Sequence, residues 1–464
     1  MSQEDAGAPA PYAAPPADTV VIYRRATLID GTGEPAQQSM TIVADGPRIR
    51  LVAPDADVPA ELHAGAEVID CAGKFVIPGL IDSHQHIATP PNRPAAEATL
   101  RRLAYGGVTA IRIMADDLRQ IADLARSTLV GEIPGPDIRY AALMAGPSFF
   151  DDPRTWQVSQ GETPGLVPWM QAITDETDLP LAVAMARGTH ATAIKIYADL
   201  PGSAVAAITA EAHRQGLRVW AHGAVFPASP SEVIGAGVDS ISHVTMLAYE
   251  AAAPLPASYK SKPPVDLDSF GTGDEPRLDA LFAEMRARGT ILDATASMWT
   301  REREASDDDD AAEAEARAKS NAELAARLTG LAYRAGVPVS TGTDYETDPE
   351  QPFPALHREM AFLAQRCGMP AEQVIRAATL TGARSLGAED SMGTIEAGKL
   401  ANFVVLTRDP LADMANLSSI ALVVKRGHRY DRAQYRPQDR PEPETASATG
   451  HGNGADNRKG HLSR

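Results

Sequence analysis

Only two cysteines, Cys71 and Cys367, occur in 464 residues, far apart and outside any metal-binding spacing. They exclude a disulfide framework, and both are expected to be reduced. Aromatic residues are sparse at 5%, and the 43 basic residues are outnumbered by 61 acidic ones. The formal net charge of -18 argues against nucleic acid or an anionic membrane as partner, since both call for basic patches. Solubility is the simpler reading of that charge. No apolar stretch approaches the roughly 18–20 residues of a membrane span. Residues 1–18 are rich in Ala and Pro and lack the basic start and apolar stretch of a secretory signal. A cytoplasmic protein is therefore expected, although a mature exported form with a replaced N-terminus would read alike.

Apolar residues make up 44% of the chain, enough for a large core. Two textures lie between the polar tails. From about Thr19 to Gly73, short runs such as Val20–Tyr23, Met40–Val43 and Ile49–Val52 alternate with Gly, Pro and Asp, as small antiparallel strands do. The texture returns in Phe403–Leu406 and Ile420–Val424, so a sheet domain assembled from both ends of the chain is expected. The middle instead alternates continuous apolar runs with amphipathic stretches, the signature of parallel strands buried under helices. Eight strands are expected: Phe75–Ile81, Val108–Met114, Ile138–Leu143, Ala191–Tyr197, Leu217–Ala221, Ser240–Val244, Thr290–Ala294 and Val337–Thr341. Helical patterns fall between them, among them Ala204–Gln215, Leu278–Arg288, Asp310–Ala335 and Pro354–Arg366. Eight strand–helix units indicate a closed (β/α)8 TIM barrel, which can take about 250 or more residues as one unit. The acidic run Asp307–Asp310 precedes a helix, and the helix dipole explains it better than a calcium site does. His451 and His461 fall in the polar C-terminal tail and receive no role.

Metal-ligand chemistry is concentrated at one end of these strands. The run Pro78-Gly79-Leu80-Ile81-Asp82-Ser83-His84-Gln85-His86 closes the first strand, and its two histidines, two apart in extended chain, share a side. Lys195 lies within the fourth strand, His222 ends the fifth, His243 is near the end of the sixth, and Asp344 follows the eighth. Catalytic groups of such barrels sit at the C-terminal ends of strands. One strand histidine is usually structural; four, with a lysine and an aspartate at the same rim, point to metal. His190 and His213 fall outside this set and are expected to be structural or solvated.

With these motifs the chain resembles the amidohydrolase superfamily, in particular its imidazolonepropionase-like and Xaa-Pro dipeptidase-like branch, over roughly residues 20–430. Further matching segments are Ala193–Tyr197, Trp220–Gly223, Ser242-His243, Thr341–Asp344, Leu356–Met360 and Gly393–Lys399. The resemblance implies a metal-bearing barrel beside a small β-sandwich built from both ends of the chain. The corresponding divisions are a tail at 1–18, sandwich parts at 19–74 and 393–432, the barrel at 75–392, and a tail at 433–464. It also implies two divalent metal ions, His84, His86 and Asp344 around the more buried and His222 and His243 around the more exposed. Lys195 would bridge them as a carbamate, N6-carboxylysine. Zinc suits mixed nitrogen and oxygen ligands, and manganese, cobalt or iron also fit. A pair of ions can keep a shared hydroxide deprotonated near neutral pH, with Asp344 as the acid/base that protonates the leaving nitrogen. The implied reaction is hydrolysis of an amide or peptide-like C–N bond of a small molecule, an ester or lactone being a variant.

Departures from the family pattern affect the pocket wall and spare the ligands. Relatives commonly read Arg-Asp after the second strand and Gly-Gly-His after the third, where this chain has Arg112-Ile113 and Gly146-Pro147-Ser148. The acid usual after Gly-Lys-Leu-Ala is here Asn402. Tyr197 should share a face with Lys195 and contact substrate, or else fill the barrel. Tyr140 and Arg112 are weaker candidates for a substrate carboxylate, and Arg112 has Asp116 or Asp117 as alternative partners. His357 is expected to support the site from behind or to be structural. The aromatic segment 147–169, with Phe149, Phe150, Trp156 and Trp169, reads as a lid or as the surface of a homo-oligomer. Two alternatives stay open: a mononuclear cyclic-amide hydrolase or deaminase with Lys195 a bystander, and a catalytically silent binding or assembly protein.

Overall fold

The computed structural model describes residues 20–251, 254–263, 265, 275–300, 311–344 and 351–437. The N-terminal tail, Asp307–Asp310, His451 and His461 lie outside the described residues.

Eight parallel strands form the barrel, in chain order Leu80–Gln85, Val108–Ile113, Asp137–Ala145, Ala193–Ile196, Arg218–His222, Ser240–Ser242, Ile291–Asp293 and Val339–Ser340. Each pairs with its neighbours in sequence. The last seam is spanned by Ser83 N–H donating to the Thr341 carbonyl at 2.8 Å. These strands are covered on both faces, which is why they read as unbroken apolar runs. Helices return the chain from strand to strand, several starting on side-chain caps: Asn92, Asp117, Asp178 and Ser229 each accept a first-turn backbone N–H. Trp220 is fully buried with Met114, Ala141 and Ala193 and fills the barrel interior. It precedes His222 by two residues and so shares its face. Among the described residues no helix is long and apolar enough to cross a membrane.

The second domain is one mixed eight-stranded sheet. Its order runs His428–Asp431, Ile420–Lys425, Phe403–Leu406, Phe75–Pro78, Val20–Leu28, Gln37–Asp45 and Arg48–Pro54, with Glu67–Asp70 also paired to Val20–Leu28. Tyr23, Leu28, Ile42, Val76, Phe403 and Val405 form its core. Thus Phe75–Pro78 is not the start of the first barrel strand, as expected, but a strand of the small sheet, paired with Phe403–Leu406. The chain crosses between sheets at Gly79. Its N–H donates to the Asn402 carbonyl at 2.9 Å, and a Cβ there would meet the Thr109 hydroxyl at 2.2 Å. The polar C-terminal tail also begins later than residue 433: a short turn at Arg432–Gln434 brings Tyr435 to 5.6 Å from the Tyr105 ring.

The two domains are joined through a buried ion cluster. Asp137, at the start of the third barrel strand, pairs with Lys425 at 2.9 Å and Arg426 at 2.8 Å on the far end of the chain. Burial pushes the Asp137 carboxyl up, but the two cations outweigh it and hold it below its ordinary value.

Candidate metal centre

His84, His86 and Asp344 converge at the C-terminal rim of the barrel, with one ligand atom from each lying within 4.8 Å of the others. His84 ends the first strand, and its Nδ1 meets Asp293 Oδ2 at 2.6 Å while Nε2 faces Asp344 Oδ1 at 3.0 Å. His86 repeats the pattern: Nδ1 to Asp116 Oδ1 at 2.7 Å, Nε2 towards Asp344 Oδ1 at 3.7 Å. A carboxylate on Nδ1 fixes the tautomer and leaves the Nε2 lone pair for a cation. This donor set fits a divalent ion: two oriented imidazoles and a carboxylate. The His243 ring stands 4.8 Å from that of His84, and the His222 ring 4.7 Å from that of His243, so the histidines run in a row along the rim.

Lys195 is 1% exposed, and its Nζ donates to Ser242 Oγ at 3.2 Å. No carboxylate among the described residues pairs with it. Burial pulls its ammonium down to about 7, with Asp293 opposing and Arg112 assisting. Burial likewise lowers His243 to about 3, although Asp344 opposes it, and lowers His222 well below its usual value. These two imidazoles are therefore neutral and able to ligate. For His84 the order reverses: burial lowers it, but Asp293 and Asp344 together raise it. Burial raises Asp344, yet His243 and His84 hold its carboxyl well below the usual range.

Two rim residues occupy left-handed backbone, His243 at φ 69° and Asp344 at φ 72°. That geometry is costly for residues with a Cβ and persists only where the surroundings fix it. Here His243 N–H donates to the Asp293 carbonyl at 3.0 Å and Asp344 N–H to the His84 carbonyl at 2.9 Å. Asp82 clamps the first and eighth strands, accepting from His84 N–H at 3.0 Å and from the Thr343 hydroxyl at 2.8 Å. At Gly342 a Cβ would lie 2.0 Å from Asp293 Oδ1.

Four neighbouring residues singled out in the sequence take different places. Tyr197 does line the pocket, 4.7 Å from the His222 ring and 4.6 Å from Phe149. Arg112 is not among the residues that line the pocket and does not pair with Asp116 or Asp117. It is wholly buried, donating to the Ser83 carbonyl at 2.6 Å and Asp293 at 3.3 Å, with its guanidinium 4.6 Å over Trp220. Tyr140 also leaves the site, since its hydroxyl donates to the Thr189 carbonyl ahead of the fourth strand. His357 is structural, its Nε2 at 2.9 Å from the Gly106 carbonyl. The sequence reading missed Asp116 and Asp293, which orient the histidines. Asp293 carried a usable signal, an acid ending the apolar run Ile291-Leu292-Asp293, as the ligands end theirs.

Over the rim lies a pocket of about 550 Å³. Its floor is the histidines, Lys195 and Asp344, and its walls include Phe149, Tyr197, Tyr259, Trp299 and four methionines. The aromatic segment joins the barrel sheet through Leu166–Val167, which pairs with Met170–Ala172 beside the third strand. It contributes Phe149, Arg154 and Val158 to the wall.

A TIM barrel with histidines and an aspartate converging at its C-terminal rim defines a metal-site hydrolase class. Residues 75–430 match the amidohydrolase family. The chain belongs to that family, and is accordingly a hydrolase of carbon–nitrogen bonds. It is 25% identical over 417 residues to an imidazolonepropionase of Mesorhizobium japonicum, covering 82% of this chain and 90% of that one. Among solved structures it is similar to a putative prolidase from Bifidobacterium longum (25% identity, TM-score 0.66, 92% of this chain and 97% of the other). It also shares the fold of a Xaa-Pro dipeptidase with methionine bound (22% identity, TM-score 0.67, 89% and 100%).

Proposed function

We propose that this chain is a binuclear metal-dependent amidohydrolase that cleaves the amide or peptide-like bond of a small molecule. His84, His86 and Asp344 hold one divalent ion and His222 and His243 a second, zinc being the first choice for such donors. Lys195, as a carbamate, would supply further oxygen donors to these sites. The observation that carries this reading is a fully buried lysine that shares the pocket floor with four histidines and an aspartate, with no carboxylate partner among the described residues. A buried amine so placed is better accounted for as the precursor of a ligand than as an uncompensated charge. Addition of the neutral amine to carbon dioxide would form one N–C bond, open one C–O π bond and release one N–H proton, giving a carbamate whose single negative charge is shared by two oxygens.

Divalent ions held there supply water ionised near neutral pH and polarise the scissile carbonyl. Asp344, at the rim beside His84, is placed to take the proton of the attacking water and deliver it to the departing nitrogen. Asp293 and Asp116 keep the two first-strand imidazoles aimed. Phe149, Tyr197 and Tyr259 exclude bulk water above them.

Metal content tests the reading. Close to two ions per chain are expected, falling to one or fewer in Lys195→Ala with loss of most turnover across N-acyl amino acids, Xaa-Pro dipeptides, lactones and cyclic amides. A mononuclear cyclic-amide hydrolase or deaminase draws support from the tighter spacing of His84, His86 and Asp344 and from the imidazolonepropionase relative. One ion per chain, unchanged in Lys195→Ala, selects that alternative.

A further inference from the structure

The pocket mouth departs from the charge of the rest of the molecule. In a chain of net charge -18, Arg154 lines the pocket and Lys262 lies over the ring of Tyr259, another lining residue, while Lys260 of the same segment faces Asp151 at 3.9 Å. Asp152 takes the Arg154 Nε at 3.1 Å and its Nη2 at 2.7 Å, which fixes the plane of the guanidinium. Its Nη1 has no partner among the described residues. Lys262 Nζ lies 3.5 Å from the centre of the Tyr259 ring and donates to the Tyr259 carbonyl at 3.1 Å. Tyr259 is itself a pocket wall, 5.2 Å from the His222 ring. No carboxylate among the described residues pairs with Lys262. Burial, then the charge of Arg154, lowers the Lys262 ammonium.

Arg154 keeps Nη1 unused beyond its pairing with Asp152, and Lys262 has no carboxylate partner among the described residues. A planar guanidinium with a free N–H and a desolvated ammonium on an aromatic face suit a carboxylate. The wall beside them is aromatic and methionine-rich, with Phe149, Tyr197, Trp299, Met170 and Met298. Methionine adapts its shape to bulky apolar groups.

We infer that Arg154 and Lys262 form an anion subsite at the pocket mouth, and that the substrate is an amide bearing a carboxylate beside a large apolar or aromatic group. The reaction part of this inference rests on the amidohydrolase reading; the subsite itself does not. The cations steer and hold the anionic end, the aromatic and methionine wall takes the bulky group, and the amide is thereby laid over the floor of the pocket.

Calorimetric titration of the metal-loaded protein with 3-phenylpropionate and its uncharged counterpart 3-phenylpropionamide tests the subsite without turnover. The acid is expected to bind roughly tenfold tighter, the scale of a charge-assisted hydrogen bond. That preference should shrink several-fold in Arg154→Gln and in Lys262→Gln, and vanish in the double variant. Retained thermal transitions and metal content establish that the variants fold. Equal affinities in the unaltered protein overturn the inference, and so does a preference that survives the double variant, since the carboxylate then sits on the histidine floor. Hydrolysis of N-acetyl-L-phenylalanine against its carboxamide separates the two readings. Turnover with no favour for the acid sinks the subsite alone, whereas an intact binding preference without turnover of any amide sinks the hydrolase reading alone.

Discussion

Each first-strand histidine depends on a carboxylate that sequence periodicity did not single out. Asp116 accepts from the Ile87 and Ala88 N–H groups as well as meeting His86, so it fixes both ring and loop. Asp116→Asn should weaken metal binding on the order of 10- to 100-fold, as loss of an orienting partner does. Competition against a chromophoric chelator measures this, and unchanged affinity would remove Asp116 from the assembly. Arg112 illustrates the opposite case. Its strand and facing were legible, but its depth was not, because alternation along a strand gives the face and not the layer within a barrel. At full burial its guanidinium balances Asp293, and the low-dielectric site pulls it to about 10 with Asp293 opposing. Arg112→Leu should cost about 3–5 kcal/mol, since it leaves a buried carboxylate with less compensation. Denaturant unfolding gives the figure, and a loss under about 1 kcal/mol would contradict the role. The ligands themselves were readable because each polar residue interrupts or ends an apolar run. Asp116 follows its strand in a polar stretch, where nothing sets an acid apart.

Among elements, the barrel strands were the most legible and the pocket cover the least. Continuous burial writes a continuous apolar run, whereas the cover is held by a few polar contacts. Asp199 is its clasp: one carboxylate oxygen accepts the Ser148 hydroxyl at 2.7 Å and the other the Tyr259 N–H at 2.9 Å. One residue thus ties down both segments that roof the site. Asp199→Ala also places a residue without a hydrogen-bonding side chain at φ 56°, a backbone that Asn tolerates better. KM should rise several-fold and limited proteolysis should cut faster within 147–169 and 254–263, while Asp199→Asn retains most of the wild-type behaviour. Equal proteolysis of all three proteins would refute the clasp. The boundary at Gly79 escaped sequence reading for a related reason. The apolar run from Phe75 to Ile81 passes unbroken from one sheet into the other, and only tertiary pairing divides it.

At the scale of the whole molecule, the barrel and the small sheet meet at Asp137, Lys425 and Arg426. Asp137→Asn strands Lys425, which is 3% exposed, in the interface and should cost about 3–5 kcal/mol near neutral pH. The carboxyl ionises below its ordinary value when folded, so its stabilisation is complete above about pH 4 and fades as pH falls through that folded value. The variant and the natural protein should therefore draw together in stability as the pH falls below about 4, and a difference that stays constant throughout the acid range would assign the loss to packing. The strand Phe75–Pro78 has a further consequence. It sits between pieces from opposite ends of the chain, and Gly79 alone separates it from the strand that carries His84 and His86. During synthesis that strand waits, one edge unpaired, until Phe403–Leu406 has left the ribosome. A chain truncated before residue 403 is therefore expected to hold the strand that carries His84 and His86 less firmly.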